Sequence, residues 1–187
     1  MFIALGVRLW RAFLRAGDSA AGTRIARIAL ASSGVLATML AVFSLLTVMA
    51  NVQGAAAPFA SLLPMLTAGA DDARLTATLD EARRQLAASG PDASPALDVM
   101  LGDFTRYHVA MAVIAAIVAV AFAVLCAVLW KGFAAARPPR GRLGRVLGSF
   151  GVLSAVLSLI MIVVAAANTA TAADPAPALL AFFEGGW

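Results

Sequence analysis

His108 is the one histidine in a chain of 187 residues, and it follows Tyr107 at the edge of a long apolar run. An imidazole beside a phenol, with the Asp103 carboxylate nearby in sequence, has the ingredients of a metal site or a general base. A tight transition-metal site wants several converging ligands, and one histidine with scattered acids does not supply them. The expected role of Tyr107 and His108 is that of amphipathic rings anchoring a helix at headgroup depth. The single cysteine, Cys126, has no partner for an intrachain disulfide and no CxxC motif. Inside an apolar run it is expected to act as a small hydrophobe.

No nucleophile elbow, P-loop, HExxH or glycine-rich dinucleotide fingerprint occurs. The expectation is therefore of no enzyme, no cofactor and no metal. Proton and ion pathways place acids, histidine or arginine at membrane depth. The three apolar runs described next hold none, which speaks against active transport by this chain alone.

The elements that carry these residues are set by composition. Hydrophobic residues make up 62% and charged residues 13%, with a mean hydropathy of +0.91. A soluble fold of this size could not bury so much apolar surface. Three windows, 28–52, 109–130 and 146–167, are free of charge and reach the ~20 residues that cross a hydrocarbon core. In lipid the backbone must satisfy its own hydrogen bonds, so each is expected to be a helix. The first run, about 23 residues, exceeds the ~7–15 of a signal-peptide core and reads as a signal anchor.

The sequence pI near 10.6 is not the mark of a nucleic-acid binder, because the cations flank the apolar runs. Arg8, Arg11, Arg15, Arg24, Arg27, Lys131, Arg137, Arg140, Arg142 and Arg145 face one acid, Asp18, for a net of +9. The remaining segments hold four arginines and nine acids, a net of −5. This asymmetry predicts an N-terminus in the cytoplasm and a C-terminus outside. Thirteen arginines against one lysine, with abundant alanine, suggest a GC-rich bacterial genome and hence a bacterial plasma membrane.

The fold class expected is all-α: an integral membrane helical bundle with three transmembrane helices, an N-terminal interfacial helix and an extracytoplasmic helical hairpin. Residues 1–24 read as a cytoplasmic amphipathic helix, with Arg8, Trp10, Arg11 and Arg15 at the lipid surface and a bend at Gly17 and Gly22. Residues 53–108 form the external hairpin. Its first part, Gln53 to Ala70, is apolar, broken by Pro58 and Pro64, and expected along the membrane surface. A helix capped by Asp71 or Asp72 follows, with Asp80 and Arg84 paired at i,i+4, ending near Ser89-Gly90-Pro91. One long helix is then expected from Ala96 to Trp130. Residues 131–145 make a basic cytoplasmic loop, and 168–187 an external apolar tail whose Asp174-Pro175 starts a short helix.

Small residues recur at helical spacing within the spans and mark candidate packing faces. They are Gly34 in the first span, Ala112, Ala116, Ala119 and Ala123 in the second, and Gly144, Gly148, Gly151 and Ala155 on the third. These faces suit either packing among the three spans or contact with other helices. Leu179, Leu180, Phe182 and Phe183 of the tail are too apolar to stand in water and are candidates for partner contact. The function these features suggest is contact: an accessory, assembly or stabilising subunit of a larger membrane complex. An oligomeric pore or transporter component and an envelope sensor are the alternatives. The partners expected are the lipid bilayer and other membrane subunits, with a homo-oligomer possible and nucleic acid excluded.

Overall fold

The computed structural model describes residues 1–16, 24–68, 72–88, 94–136 and 141–185. Among the described residues there are seven α-helices and no strand: α1 (Phe2–Arg15), α2 (Arg24–Ala56), α3 (Pro58–Ala68), α4 (Ala73–Ala88), α5 (Pro95–Ala135), α6 (Arg142–Ala173) and α7 (Pro175–Phe183). Helices α2, α5 and α6 are long and apolar enough to cross a membrane, with mean hydropathies of 2.1, 3.1 and 2.6 in their most apolar windows. Their 33, 41 and 32 residues reach about 50, 60 and 48 Å at roughly 1.5 Å per residue. Each outruns a hydrocarbon core of about 30 Å. The expected bend at Gly17 and Gly22, the alternative cap Asp71 and the break at Ser89-Gly90-Pro91 lie outside the described residues. So do Asp18, Arg137 and Arg140.

The chain divides into two compact units, Met1–Val48 with Val120–Leu159, and Met49–Ala119 with Ile160–Trp187. In the first, α1 packs on α2 and α6 through Trp10. A Cβ at Gly34 would come within 3.0 Å of the Trp10 ring, so only glycine leaves room for the indole. Trp10 Nε1 donates to Thr38 Oγ1 at 3.4 Å, and that hydroxyl donates to the Gly34 carbonyl at 2.8 Å. Phe150 of α6 meets the indole edge-to-face at 5.1 Å and Phe13 at 5.6 Å. One turn earlier Gly6 is buried, where a Cβ would lie 3.8 Å from Ala37 Cβ. The C-terminal end of α5 and the N-terminal part of α6 interlock in the same manner. Trp130 fills the notch at Gly151, Phe133 that at Gly148, and Leu147 returns into Gly132.

In the second unit, Leu63 of α3, Ala82 and Leu86 of α4, Leu97 and Met100 of α5, and Leu179 of α7 form one buried cluster. Leu75 and Leu79 of α4 are half-buried one and two turns before Ala82 and Leu86, an i,i+3,i+4 stripe that presents one apolar face. The starts of α4 and α5 are capped, whereas Asp174 makes no side-chain cap at the start of α7. Asp72 Oδ1 accepts from the backbone N–H of Arg74 (2.8 Å) and Leu75 (3.4 Å), and Ser94 Oγ accepts from Leu97 N–H. Gln85 Oε1 accepts the Ser94 N–H at 3.2 Å, tying α4 to the start of α5.

Three expectations change here. Residues 53–68 are more helical than expected: α2 runs on to Ala56, the chain breaks ahead of Pro58, and α3 continues through Pro64. Pro58 occupies the first position of α3, where no N–H is needed. Pro64 costs about 3 kcal/mol in a helix interior, which the burial of Leu63 (2% exposed), worth about 1.5–3 kcal/mol, largely offsets. Second, α5 starts at Pro95 and extends to Ala135, and α6 continues past Ala167 to Ala173. Third, Arg84 pairs with Glu81 at i,i+3 rather than with Asp80, because both spacings are neighbours on a helix and Glu81 also takes a hydrogen bond from Gln85.

The hydrogen bonds from Arg84 and Gln85 and the Arg84 charge hold the Glu81 carboxyl below its ordinary value. A carboxylate lowered by folding stabilises above its unfolded pKa, and that contribution is lost as pH falls through the lowered value. Because the pair is fully exposed, screening keeps its contribution small. Titration followed by NMR is expected to place Glu81 below a Glu81 signal measured in the Arg84→Gln variant. Identical midpoints would mean that the pair does not persist in solution.

Candidate functional site

Four polar side chains of the second unit join pairs of helices. Asp103 Oδ2 on α5 accepts the Ala60 N–H at 2.8 Å, so a carboxylate from one helix caps the first turn of α3. Gln53 on α2 is buried and donates through Nε2 to the Tyr107 carbonyl at 3.2 Å. His108 Nδ1 lies 2.8 Å from Asn168 Oδ1 on α6. Asn168 Nδ2 donates to the Val164 carbonyl at 2.8 Å, which turns Oδ1 toward the imidazole. Nδ1 therefore carries the proton and donates. Interhelical hydrogen bonds of this kind contribute about 0.6–2 kcal/mol each in an apolar environment.

The arrangement clamps helices and does not converge on a reacting centre. Phe104 and Tyr107 meet the His108 ring edge-to-face at 4.5 and 5.5 Å, so the imidazole is held by two rings as well as by an amide. Among the described residues no three side chains of His, Cys, Asp or Glu stand close enough to share a metal ion. Asn168 was invisible to sequence patterning, because one amide at the end of an alanine-rich run has no periodic companion.

The small-residue positions divide into two sets. Gly34, Gly148 and Gly151 receive the rings of Trp10, Phe133 and Trp130, so these notches hold aromatic side chains rather than a second backbone. Gly144 and Ala119 are buried and Ala112 is half-buried, whereas Ala116, Ala123 and Ala155 are exposed. Ala115, Ser154 and Ser158 are the buried small residues beside them that spacing alone did not single out. Around the exposed alanines stand Val113, Ile117, Val120 and Val124 on α5, and Val152, Val156 and Leu159 on α6, all exposed.

No protein-family model matches this chain, and no curated protein or solved structure is significantly similar to it. The functional reading therefore rests on its surfaces.

Two groups of expected contact residues take part in the chain's own packing. Arg8, Arg11 and Arg15 are exposed, and Trp10 is half-buried, one side of its ring against the Gly34 notch and Phe150 and the rest open to the clefts beside them. Leu179 is wholly buried in the chain's own cluster, with Leu180, Phe182 and Phe183 packed around it. Within this chain Leu63, Leu86 and Leu97 supply apolar cover for Leu179.

Proposed function

We propose that this chain is a non-catalytic multi-pass membrane protein that works by contact, as an accessory, assembly or stabilising subunit of a larger complex in a bacterial plasma membrane. The observation that carries the reading is how little of the spans is covered. Only 11%, 11% and 22% of the residues in the apolar windows of α2, α5 and α6 are buried. Lipid can cover such faces as well. Partner helices are favoured by the outward-facing alanines, because Ala116, Ala123 and Ala155 let a second backbone approach closely and gain dispersion contacts.

In this reading the net +9 segments lie in the cytoplasm, with the Arg8, Arg11 and Arg15 face of α1 at the headgroups. The negative segments lie outside, where α4 and the start of α5 form a hairpin closed by α7. Cysteine at Ala87 is expected to react with an impermeant thiol reagent in intact cells, and cysteine at Ala135 only after permeabilisation. Native purification is expected to yield a second membrane chain in fixed stoichiometry, lost from the Ala116→Phe/Ala123→Phe variant. A chain recovered with lipid alone, or as a symmetric homo-oligomer, would replace the accessory reading.

A further inference from the structure

Two adjoining clefts open between α1, α2 and α6, sharing Trp10, Ser149 and Phe150 as a common wall. The inner one has a volume of about 360 Å³ and is otherwise lined by Val35, Thr38, Met39 and Leu153. The second, about 290 Å³, ends at Arg142 and Arg145. Both volumes are near the lower end of the ~300–1,000 Å³ typical of small-molecule sites. An apolar slot that ends in two cations is the complement of an anionic amphiphile.

The charge at that mouth is unbalanced. Among the described residues neither Arg142 nor Arg145 is paired with a carboxylate, and the one acid in the sequence of the first unit, Asp18, lies outside them. Both arginines stand in the first turn or so of α6, where no acid occurs and where the helix dipole already presents its positive end. An anion there relieves repulsion from both sources. The Arg142 guanidinium lies 5.2 Å over the Phe13 ring, which positions it at the cleft mouth without neutralising it.

Length fits as well. Arg142 and Leu153 are separated along α6 by about 16 Å at roughly 1.5 Å per residue, close to half of a ~30 Å hydrocarbon core. We infer that the clefts form a binding site for one anionic phospholipid, its phosphate held by Arg142 and Arg145 and one acyl chain lying along Trp10, Met39 and Leu153. The proposed orientation decides only which leaflet supplies the lipid. Binding to the purified chain tests the site without reference to sidedness.

The full chain, with Trp130→Phe and Trp187→Phe so that Trp10 alone emits, is titrated in detergent with phosphatidylglycerol brominated in its acyl chains. Quenching is expected to saturate at one lipid per chain. The preference over brominated phosphatidylcholine is expected to be on the order of tenfold, as two cations facing one phosphate imply. Arg142→Gln/Arg145→Gln should abolish the preference while leaving the ring in place, seen as unchanged emission before lipid is added. Ser149→Phe, which fills the wall shared by both clefts, should reduce quenching by either lipid. Equal quenching by the two lipids in the parent protein would overturn the inference, as would unchanged selectivity in the double arginine variant. Protection from quenching by glycerol phosphate at the same concentration as the lipid would also overturn it, by showing a phosphate site that needs no acyl chain.

Discussion

Leu179→Ala is expected to loosen the α3–α4–α5–α7 cluster by about 2–5 kcal/mol, the range for truncating a fully buried leucine. Leu179 has no exposed surface and sits among Leu63, Ala82, Leu86, Leu97 and Met100. Removing its branch leaves a void bounded by four helices that cannot all close on it. In a cluster of this size such a loss is a large part of the total, so the readout is local opening rather than global unfolding. Amide hydrogens of residues 82–86 and 97–100 should exchange on the order of thirtyfold faster or more, while those at the C-terminal end of α5 and the N-terminal part of α6 keep their protection. Leu179→Asp should release α7 altogether, because a carboxylate has no partner in that site. Exchange rates in Leu179→Ala equal to those of the parent would show that α7 is not seated as described.

The second large effect concerns α1. In a Cys126→Ser background, Gly6→Cys with Ala37→Cys is expected to form a disulfide readily on mild oxidation. A Cβ at Gly6 lies 3.8 Å from Ala37 Cβ, at the centre of the ~3.5–4.5 Å range that disulfides require. Adding Gly34→Leu should prevent the crosslink. Its first side-chain carbon would already press to 3.0 Å from the Trp10 ring, and the rest must push the indole and its helix away. A helix lying free on the leaflet would give no crosslink in the parent and no difference with Gly34→Leu.

What was legible in the sequence follows from which physics leaves a one-dimensional trace. The spans were legible because lipid forbids charge over a whole window, and windows 28–52, 109–130 and 146–167 lie inside α2, α5 and α6. The cap at Asp71 or Asp72 was legible because it satisfies backbone groups a fixed number of positions away, and Asp72 supplies it. The docking of Trp10 was not. An apolar stripe on an amphipathic helix looks the same whether lipid or protein covers it, and nothing in residues 1–15 names Gly34 as the notch. The roles of Gly148 and Gly151 were half legible: their smallness announced a close approach, but an approaching ring and an approaching backbone demand the same smallness. The choice of Glu81 over Asp80 by Arg84 was likewise degenerate, since one turn of helix offers both. His108 was placed with Tyr107, and its polar partner was missed because Asn168 is sixty positions away.

The burial of Leu179 also sets an order of events during synthesis. Leu63 and Leu86 precede α5, and Leu97 and Met100 lie in its first turns, whereas the side chain that seals them follows α6. The cluster closes only after the chain beyond α6 has been made and α7 has seated against α4. Until then four large apolar side chains wait without their cover, and loop closure across 79 to 116 residues must precede any contact with Leu179. The surface formed by these residues is thereby apolar before α7 seats and sealed after, and transiently exposed apolar surface of this kind is what chaperones cover.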